Sequence, residues 1–519
     1  MTTNCYMASI DLKDAYFSVP IAKSHQKLLK FEWNNVLYKF TCFPNGLACC
    51  PRKFTKIMKP VFSTLRQLGH LSTNYIDDSC LFGQDWDDCA QNVIDTVKIL
   101  DTLGFVVHPH KSVFTPTQKL LYLGFVFESV SMCVRLTPEK AAKLKKAATD
   151  LPQSKKPTIR KVAQYLGYIV SSFQGSAYGP LHYRSLEYDK RTALNFSKGD
   201  FDATMEISAQ SKDELVWWAD SIETAYNSIS KGDVDITITS DALKMGWGAA
   251  TIDLSAGGLW TAEEAREHIN YLAMLAVLFA LKSCSTLTSN KHVKVMVDNT
   301  TTEATLNKMG TCHSPKLNTL TKVIWEWCII HNMWLTMARI PGQENIEADR
   351  ESRTFRRCTE WCLNKESFKR ARNQLNVTPN IDLFPSRINF QLTPYVAYRA
   401  DPEAFAINAF YMSWEPYLFY AFPPFSLITR VLQKIQEEGA TGLPLVPKWP
   451  TQPWWPKMVQ MLIQPPVQFP KDRMTLFLPS EPKELHPLHK KLTLILCHLF
   501  LVRTIQGDED ENTALFARK

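Results

Sequence analysis

The sequence predicts a multidomain chain of mixed α+β and α/β class. Three observations carry this. At 519 residues the chain is too long for one core, so three or four domains are expected. Period-two apolar stretches recur at separated places, with helix-spaced segments between them. Beyond about Pro379 the texture shifts to proline and aromatics. A hydrophobic content of 45% with 21% charged residues fits an ordinary globular protein rather than a disordered one. The net charge of +8 is compatible with a polyanionic partner but does not require one. Thirteen cysteines, odd in number and without a Cys-x-x-Cys pair, suggest neither a disulfide scaffold nor a zinc framework. Cys49, Cys50, Cys358 and Cys362 therefore read as reduced thiols, and a reducing compartment follows. No signal-peptide pattern and no apolar run of about 18 residues occurs, so the expected location is cytoplasm or nucleus, with no membrane contact.

Residues 1–128 form the first block. Ala8, Ile10 and Leu12 alternate with Ser9, Asp11 and Lys13, which predicts a strand with one apolar face and Asp11 on the other. Phe43-Pro44-Asn45-Gly46-Leu47 reads as a turn. A helix follows from about Pro51 to Leu68, with proline in its first turn and Gly69 as its stop. Tyr75-Ile76-Asp77-Asp78, between short apolar runs, reads as strand, tight turn, strand, with both carboxylates at a hairpin tip. Adjacent anions repel, and a hard divalent cation between them relieves the repulsion. The plainer reading is a polar Asp-Asp turn. Asp88 to Leu103 predicts an amphipathic helix ended by Gly104, and Leu121 to Phe125 a last short strand.

In this order, Asp11-Leu12-Lys13-Asp14-Ala15-Tyr16, Phe43 to Leu47, Tyr75 to Asp78, Gly104-Phe105 to Lys111-Ser112, and Tyr122-Leu123-Gly124-Phe125 resemble the successive motifs of a reverse transcriptase. The match is close to gypsy-like elements and especially to DIRS-type, tyrosine-recombinase-bearing retrotransposons. The resemblance implies a reverse-transcriptase palm with incomplete fingers. It implies RNA-directed DNA polymerase activity on an RNA template and DNA primer with dNTPs. Asp11, Asp77 and Asp78 would hold a pair of Mg²⁺ ions about 3.5–4 Å apart, with Mn²⁺ as an alternative and Asp78 in support. Tyr16 corresponds to the ring that crowds a ribose 2′-hydroxyl; alone it reads as a packed strand aromatic. Tyr75, Asn45 and Gly46 fall at nucleotide- and template-binding positions. Lys111 is either a proton donor or countercharge for pyrophosphate, or a solvated loop lysine. Relatives carry roughly a hundred or more residues before the first aspartate, so a truncated copy with weak or no activity is expected.

Residues 129–232 predict a helical thumb or connection. Helices are expected over Thr137–Asp150, from Pro157-Thr158 through Ile169, and over Asp213–Asn227. The basic residues Lys140, Lys143, Lys145, Lys146, Lys155, Lys156, Arg160 and Lys161 are either a solvated face or a surface that tracks a nucleic-acid backbone. Tyr178 to Arg184 resembles a DIRS-type linker. Trp217-Trp218 reads as core rather than as a base-stacking pair.

In residues 233–356 alternation resumes. Strands run into Ser240-Asp241 and Asp298-Asn299, further strands cover Trp247–Ala250, Gly257–Trp260 and Trp334–Ile340, and a helix covers Glu263–Ser283. This block resembles the RNase H fold, which holds two metals with four carboxylates and hydrolyses the RNA strand of an RNA–DNA hybrid. Asp241, Asp298 and a late helical Asp349 fit three positions; strand-end turns are the plainer reading. The fourth position is Ala273, whose methyl ligates nothing, and Arg339 stands where a catalytic histidine is expected. An impaired nuclease is therefore expected.

Residues 375–480 resemble a methyltransferase-like module, degenerate because Phe422 precedes Pro423-Pro424-Phe425 where an asparagine would bind a flipped base, and because no glycine-rich loop lies near Asp382. Residues 481–519 predict a helix over His486–Leu501 and an acidic end at Gly507–Glu511. No recombinase signature occurs, so integration would need a separate recombinase or integrase. The alternative for the whole chain is an inactive relic that binds nucleic acid.

Overall fold

The computed structural model describes residues 1–154, 156–354, 360–472 and 475–500. Lys155, Cys358, Leu501 and the acidic stretch 507–511 lie outside the described residues. The chain divides into two compact units, one ending at Lys231 and one starting at Gly232.

The first unit opens with β1 (Tyr6–Lys13), the ribbon β2 (Lys30–Trp33) and β3 (Val36–Lys39), α1 (Cys50–Gln67), the hairpin β4 (Leu71–Tyr75) and β5 (Asp78–Gly83), and α2 (Trp86–Thr102). Short strands β6 (Val106–Val107) and β7 (Val113–Thr117) follow. β1 pairs with β5, β6 and β7, all antiparallel. It is therefore central, and apolar on both faces rather than on the single face its alternation suggests. Ala8, Ile10 and Leu12 pack with Phe54, Phe62 and Val93 of α1 and α2. Met7 on the other face packs with Leu120 and Tyr122. Asp11 escapes this burial because it stands at the strand's far end, half-buried. The stretch expected as one last strand is a hairpin, β8 (Lys119–Tyr122) and β9 (Phe125–Glu128). Leu123 and Gly124, with φ of 50° and 74°, turn the chain there.

After β10 (Cys133–Leu136) come α3 (Pro138–Gln153), α4 (Ile159–Val170), α5 (Arg184–Phe196), α6 (Ala209–Ser221) and the short β11 (Asn227–Ser228). Thr137 and Thr158 cap α3 and α4 by accepting from the backbone N–H of Lys140 and Lys161. Tyr178 to Arg184 packs into the core of this unit. Leu181 and Tyr183 are buried, and the Trp218 indole donates to the His182 carbonyl at 2.7 Å. A Cβ at Gly179 would meet the Trp218 ring at 2.7 Å, so glycine is required there. Trp218 is fully buried, as core; Trp217 stacks on His182 at 3.9 Å.

The second unit carries β12 (Ile236–Ala242), β13 (Gly246–Ala250), β14 (Ser255–Leu259), α7 (Ile269–Ser283), α8 (Ser285–Thr288), β15 (His292–Val297), α9 (Thr300–Asn307), α10 (Pro315–Ile330), β16 (Trp334–Arg339) and α11 (Ile346–Arg353). These strands form one sheet in the order β14-β13-β12-β15-β16. β12, β15 and β16 are parallel and the other pairs antiparallel. α7 begins later than expected: His268 caps it, and Glu264 belongs to a separate turn.

The chain continues with β17 (Cys362–Leu363), α12 (Lys365–Gln374), β18 (Ile381–Leu383), β19 (Tyr395–Ala397), β20 (Ala406–Ile407), β21 (Leu418–Ala421), α13 (Ile428–Glu438), β22 (Thr441–Pro447) and α14 (Trp455–Gln460). It ends in β23 (Val467–Gln468), β24 (Leu476–Leu478), β25 (Glu481–Leu485) and β26 (Leu494–Leu496). The main sheet runs β20-β19-β18-β21-β22-β26-β23. Its first five strands are parallel, and β26 is antiparallel to both neighbours. The helix expected over His486–Leu501 is thus replaced by turns and a central strand. An apolar run buried on both faces has no periodicity to separate strand from helix.

Arg387 fastens this sheet region to the preceding one. Its guanidinium forms a bidentate pair with Glu264 at 2.8 and 2.9 Å, donates to the Leu259 carbonyl and lies 4.5 Å over the Phe279 ring. Removing one partner strands the other in a partly dehydrated site. Arg387→Ala is expected to destabilise the unit by about 3 kcal/mol, read as a urea midpoint shift.

Asp382 on β18 is fully buried, and burial holds its carboxyl well above the usual range. Its Oδ2 accepts from the backbone N–H of Gln391 at 2.7 Å. A raised folded pKa means the folded state binds the proton more tightly. Stability should therefore rise as pH falls from neutral toward about 4. The urea midpoint of wild type relative to Asp382→Asn is expected to climb over that range; a flat difference refutes it.

Candidate active site

Register builds the first site. In the β1–β5 ladder, Asp11 stands directly opposite Asp78. The β4–β5 hairpin turns through Ile76 and Asp77, with Ile76 at φ 60°. The Leu12 N–H donates to the Asp77 carbonyl at 3.1 Å, which fixes the tip against β1. The segment after α2 closes the other side: the Asp11 N–H donates to Ser112 Oγ at 3.0 Å, and the His108 N–H donates to the Asp11 carbonyl at 2.8 Å. The Tyr122 hydroxyl donates to the Asp78 carbonyl at 3.2 Å.

The three carboxylates feel one another. Asp78 is pushed up to about 6, first by burial, then by the charges of Asp77 and Asp11 and a hydrogen bond with Asp11. The positive charge of Lys111 opposes this. Tyr16 is also raised, by burial first and then by Asp77, and its ring packs edge-on against Phe54 at 5.7 Å. Tyr75, beside the tip, is exposed. Asn45 and Gly46 are exposed in the loop before α1, and Gly46 has φ 89°. The positioning roles of Ser112, His108 and Tyr122 were not legible: all three meet backbone atoms of the aspartates, and a serine beside a lysine carries no geometric signal of its own.

A second cluster forms in the five-stranded sheet. Burial raises Asp241 first; Asp298 and Asp349 raise it further, and the Ser352 hydroxyl, donating at 2.6 Å, lowers it. α11 brings Asp349 there by lying directly on β13. A Cβ at Gly248 would meet the Ala348 carbonyl at 2.2 Å. Asp349 is engaged by Arg353, whose Nε donates to its Oδ1 at 2.8 Å. Ala273 is buried in α7, and Arg339 is exposed at the end of β16. Phe422 packs against Phe425, which meets Trp449.

Among the described residues, no group of three or more His, Cys, Asp or Glu side chains is arranged to hold a metal ion. The donor chemistry of both clusters nonetheless suits a hard divalent cation, since every candidate ligand is a carboxylate and each cluster raises its own most buried member.

Residues 1–127 match the family described as reverse transcriptase (RNA-dependent DNA polymerase). This region is a reverse transcriptase domain. It is related to those of Pol polyproteins: 29% identical over 164 residues to the Gag-Pol polyprotein of walleye dermal sarcoma virus, covering 31% of this chain and 9% of that protein. It is 24% identical over 163 residues to the retrovirus-related Pol polyprotein from transposon opus of Drosophila melanogaster, covering 31% and 15%. The chain thus spans about a tenth of the length of these curated relatives. A foamy viral protease–reverse transcriptase solved with double-stranded DNA aligns over 65% of this chain and 57% of its own, at 16% identity and a TM-score of 0.39. Among the described residues no helix is long and apolar enough to cross a membrane.

Proposed function

We propose that this chain is the RNA-directed DNA polymerase portion of a retroelement Pol protein, and that its second carboxylate cluster is an impaired RNase H-like site. One observation carries the reading: within a reverse transcriptase domain, strand register brings Asp11 opposite Asp78 at the Asp77 hairpin tip. Asp11 and Asp77 would hold the metals, most simply a Mg²⁺ pair with Mn²⁺ as alternative, and Asp78 would support them. Bound there, the ions offset charge on the attacking and leaving oxygens of nucleotidyl transfer.

The protein's own groups do the rest. The primer 3′-hydroxyl attacks the α-phosphate of a dNTP, and pyrophosphate departs. Lys111, whose charge lowers the Asp78 carboxyl, supplies positive charge or a proton to the departing pyrophosphate. Tyr16, held against Phe54 beside Asp77, crowds the sugar 2′ position and favours deoxynucleotides. Tyr75, Asn45 and Gly46 are exposed where template and nucleotide would approach.

In the second cluster, Ala273 withholds a fourth carboxylate and Arg353 engages Asp349, which favours a duplex-binding relic over a working nuclease. The strand order of the last sheet supports a methyltransferase-like module. The aromatic packing of Phe422 supports its being degenerate. Kinship with gypsy-like and DIRS-type elements and dependence on a separate recombinase belong to the same reading. The test is incorporation of labelled deoxynucleotide on a primed RNA template with Mg²⁺ or Mn²⁺. Absence of incorporation with either ion favours the inactive relic.

A further inference from the structure

α1 and α2 pack against the same strand, β1, and an open groove of ≈ 710 Å³ runs between their outward faces. Its lining is mostly apolar: Ile57, Val61 and Leu68 from α1, Ile99 from α2, then Leu103 and Phe105. Leu68 is 60% exposed and Leu103 55%. Contiguous apolar surface of this kind is costly in water and marks a contact surface.

The two walls of the groove carry opposite charge. α1 has five cations, Arg52, Lys53, Lys56, Lys59 and Arg66, and no acid. α2 has four acids, Asp87, Asp88, Asp95 and Asp101, against the single cation Lys98. Arg52, Lys56, Lys59 and Arg66 recur at helical spacing and form one stripe. Asp87, Ile94 and Asp101 likewise share a face of α2, and all three are exposed. Asp95 is already engaged, by His70 at 2.9 Å and Gln91 at 3.0 Å. Among the described residues, Lys56, Lys59, Arg66, Asp87 and Asp101 form no ion pair.

Charge selects the occupant. A nucleic acid or an anionic membrane would be attracted by α1 and repelled by α2. A peptide of one sign meets the same conflict. A second copy of this chain brings both signs. With a two-fold axis along the groove, each basic helix faces the acidic helix of the other copy; with the axis across the groove, like charges would meet.

We propose that the α1–α2 groove is the interface of a homodimer, closed by a second copy of this chain about a two-fold axis along the groove. The contact buries Leu68 and Leu103 of both copies and sets the cations of α1 against Asp87 and Asp101 of the other copy. It does not rest on the polymerase reading, because its readout is mass rather than activity.

The full chain should be followed by sedimentation. It is expected to dimerise at about 10 μM and to loosen as salt screens the charges. Lys56→Glu with Lys59→Glu makes both walls acidic, and Asp87→Lys with Asp101→Lys removes the acidic face. Each double variant is expected to self-associate at least about tenfold more weakly than wild type, with its unfolding midpoint showing that it is folded. Mixed in equal amounts, the two variants should pair again, since each offers the sign that the other lacks. A wild-type chain that stays monomeric overturns the proposal, as do folded variants that associate like wild type or fail to pair when mixed. Loss of duplex binding in the glutamate variant with undiminished self-association also overturns it, since the basic stripe then serves nucleic acid.

Discussion

Asp11→Asn and Asp77→Asn are each expected to cut metal-dependent nucleotide incorporation by at least about a hundredfold, the scale of removing one charge-stabilising group from a reacting centre. Asp78→Asn should cost less. It sits opposite Asp11 in the ladder and supports the ions in the proposed site rather than holding them. The substitutions are isosteric and relieve repulsion, so thermal unfolding midpoints should hold or rise. That separates lost chemistry from lost fold. Asp11→Asn with undiminished incorporation would falsify the proposed site outright.

Ala273→Glu is expected to give measurable cleavage of an RNA–DNA hybrid where the unmodified chain gives little. α7 packs on β12, the strand of Asp241, so a longer side chain there can reach the cluster of Asp241, Asp298 and Asp349. A fourth buried carboxylate should also destabilise the metal-free protein, because the cluster already raises Asp241. Mg²⁺ should restore the unfolding midpoint of this variant more than that of wild type. Strong cleavage by the unmodified chain contradicts the impaired-site reading. Arg353 is a second obstacle, and Arg353→Ala combined with Ala273→Glu should cleave faster than Ala273→Glu alone.

Where local chemistry dominates, the sequence was legible. Gly69 and Gly104 end α1 and α2 at φ 93° and 81°, the left-handed geometry that glycine adopts without strain. Thr137 and Thr158 mark helix starts by capping. The Asp-Asp tip was readable because short strands on each side leave little else for it to be. The ribbon β2–β3 leaves little trace in the sequence, since its alternation of Phe31, Trp33 and Tyr38 is no stronger than that of many loops. The apolar run near Leu494 is a strand where a helix is expected, because full burial erases periodicity.

The sequence alone determined the chemical types at each site, the order of the motifs and the presence of alanine at position 273. These are properties of single residues and their spacing. Only the tertiary structure decided that Asp11 faces Asp78 across a ladder, that Arg353 engages Asp349, and that Arg387 fastens one sheet region to the next. Those pairings join residues far apart in the chain. They depend on strand register and helix packing, which follow from how whole faces are buried rather than from any local pattern.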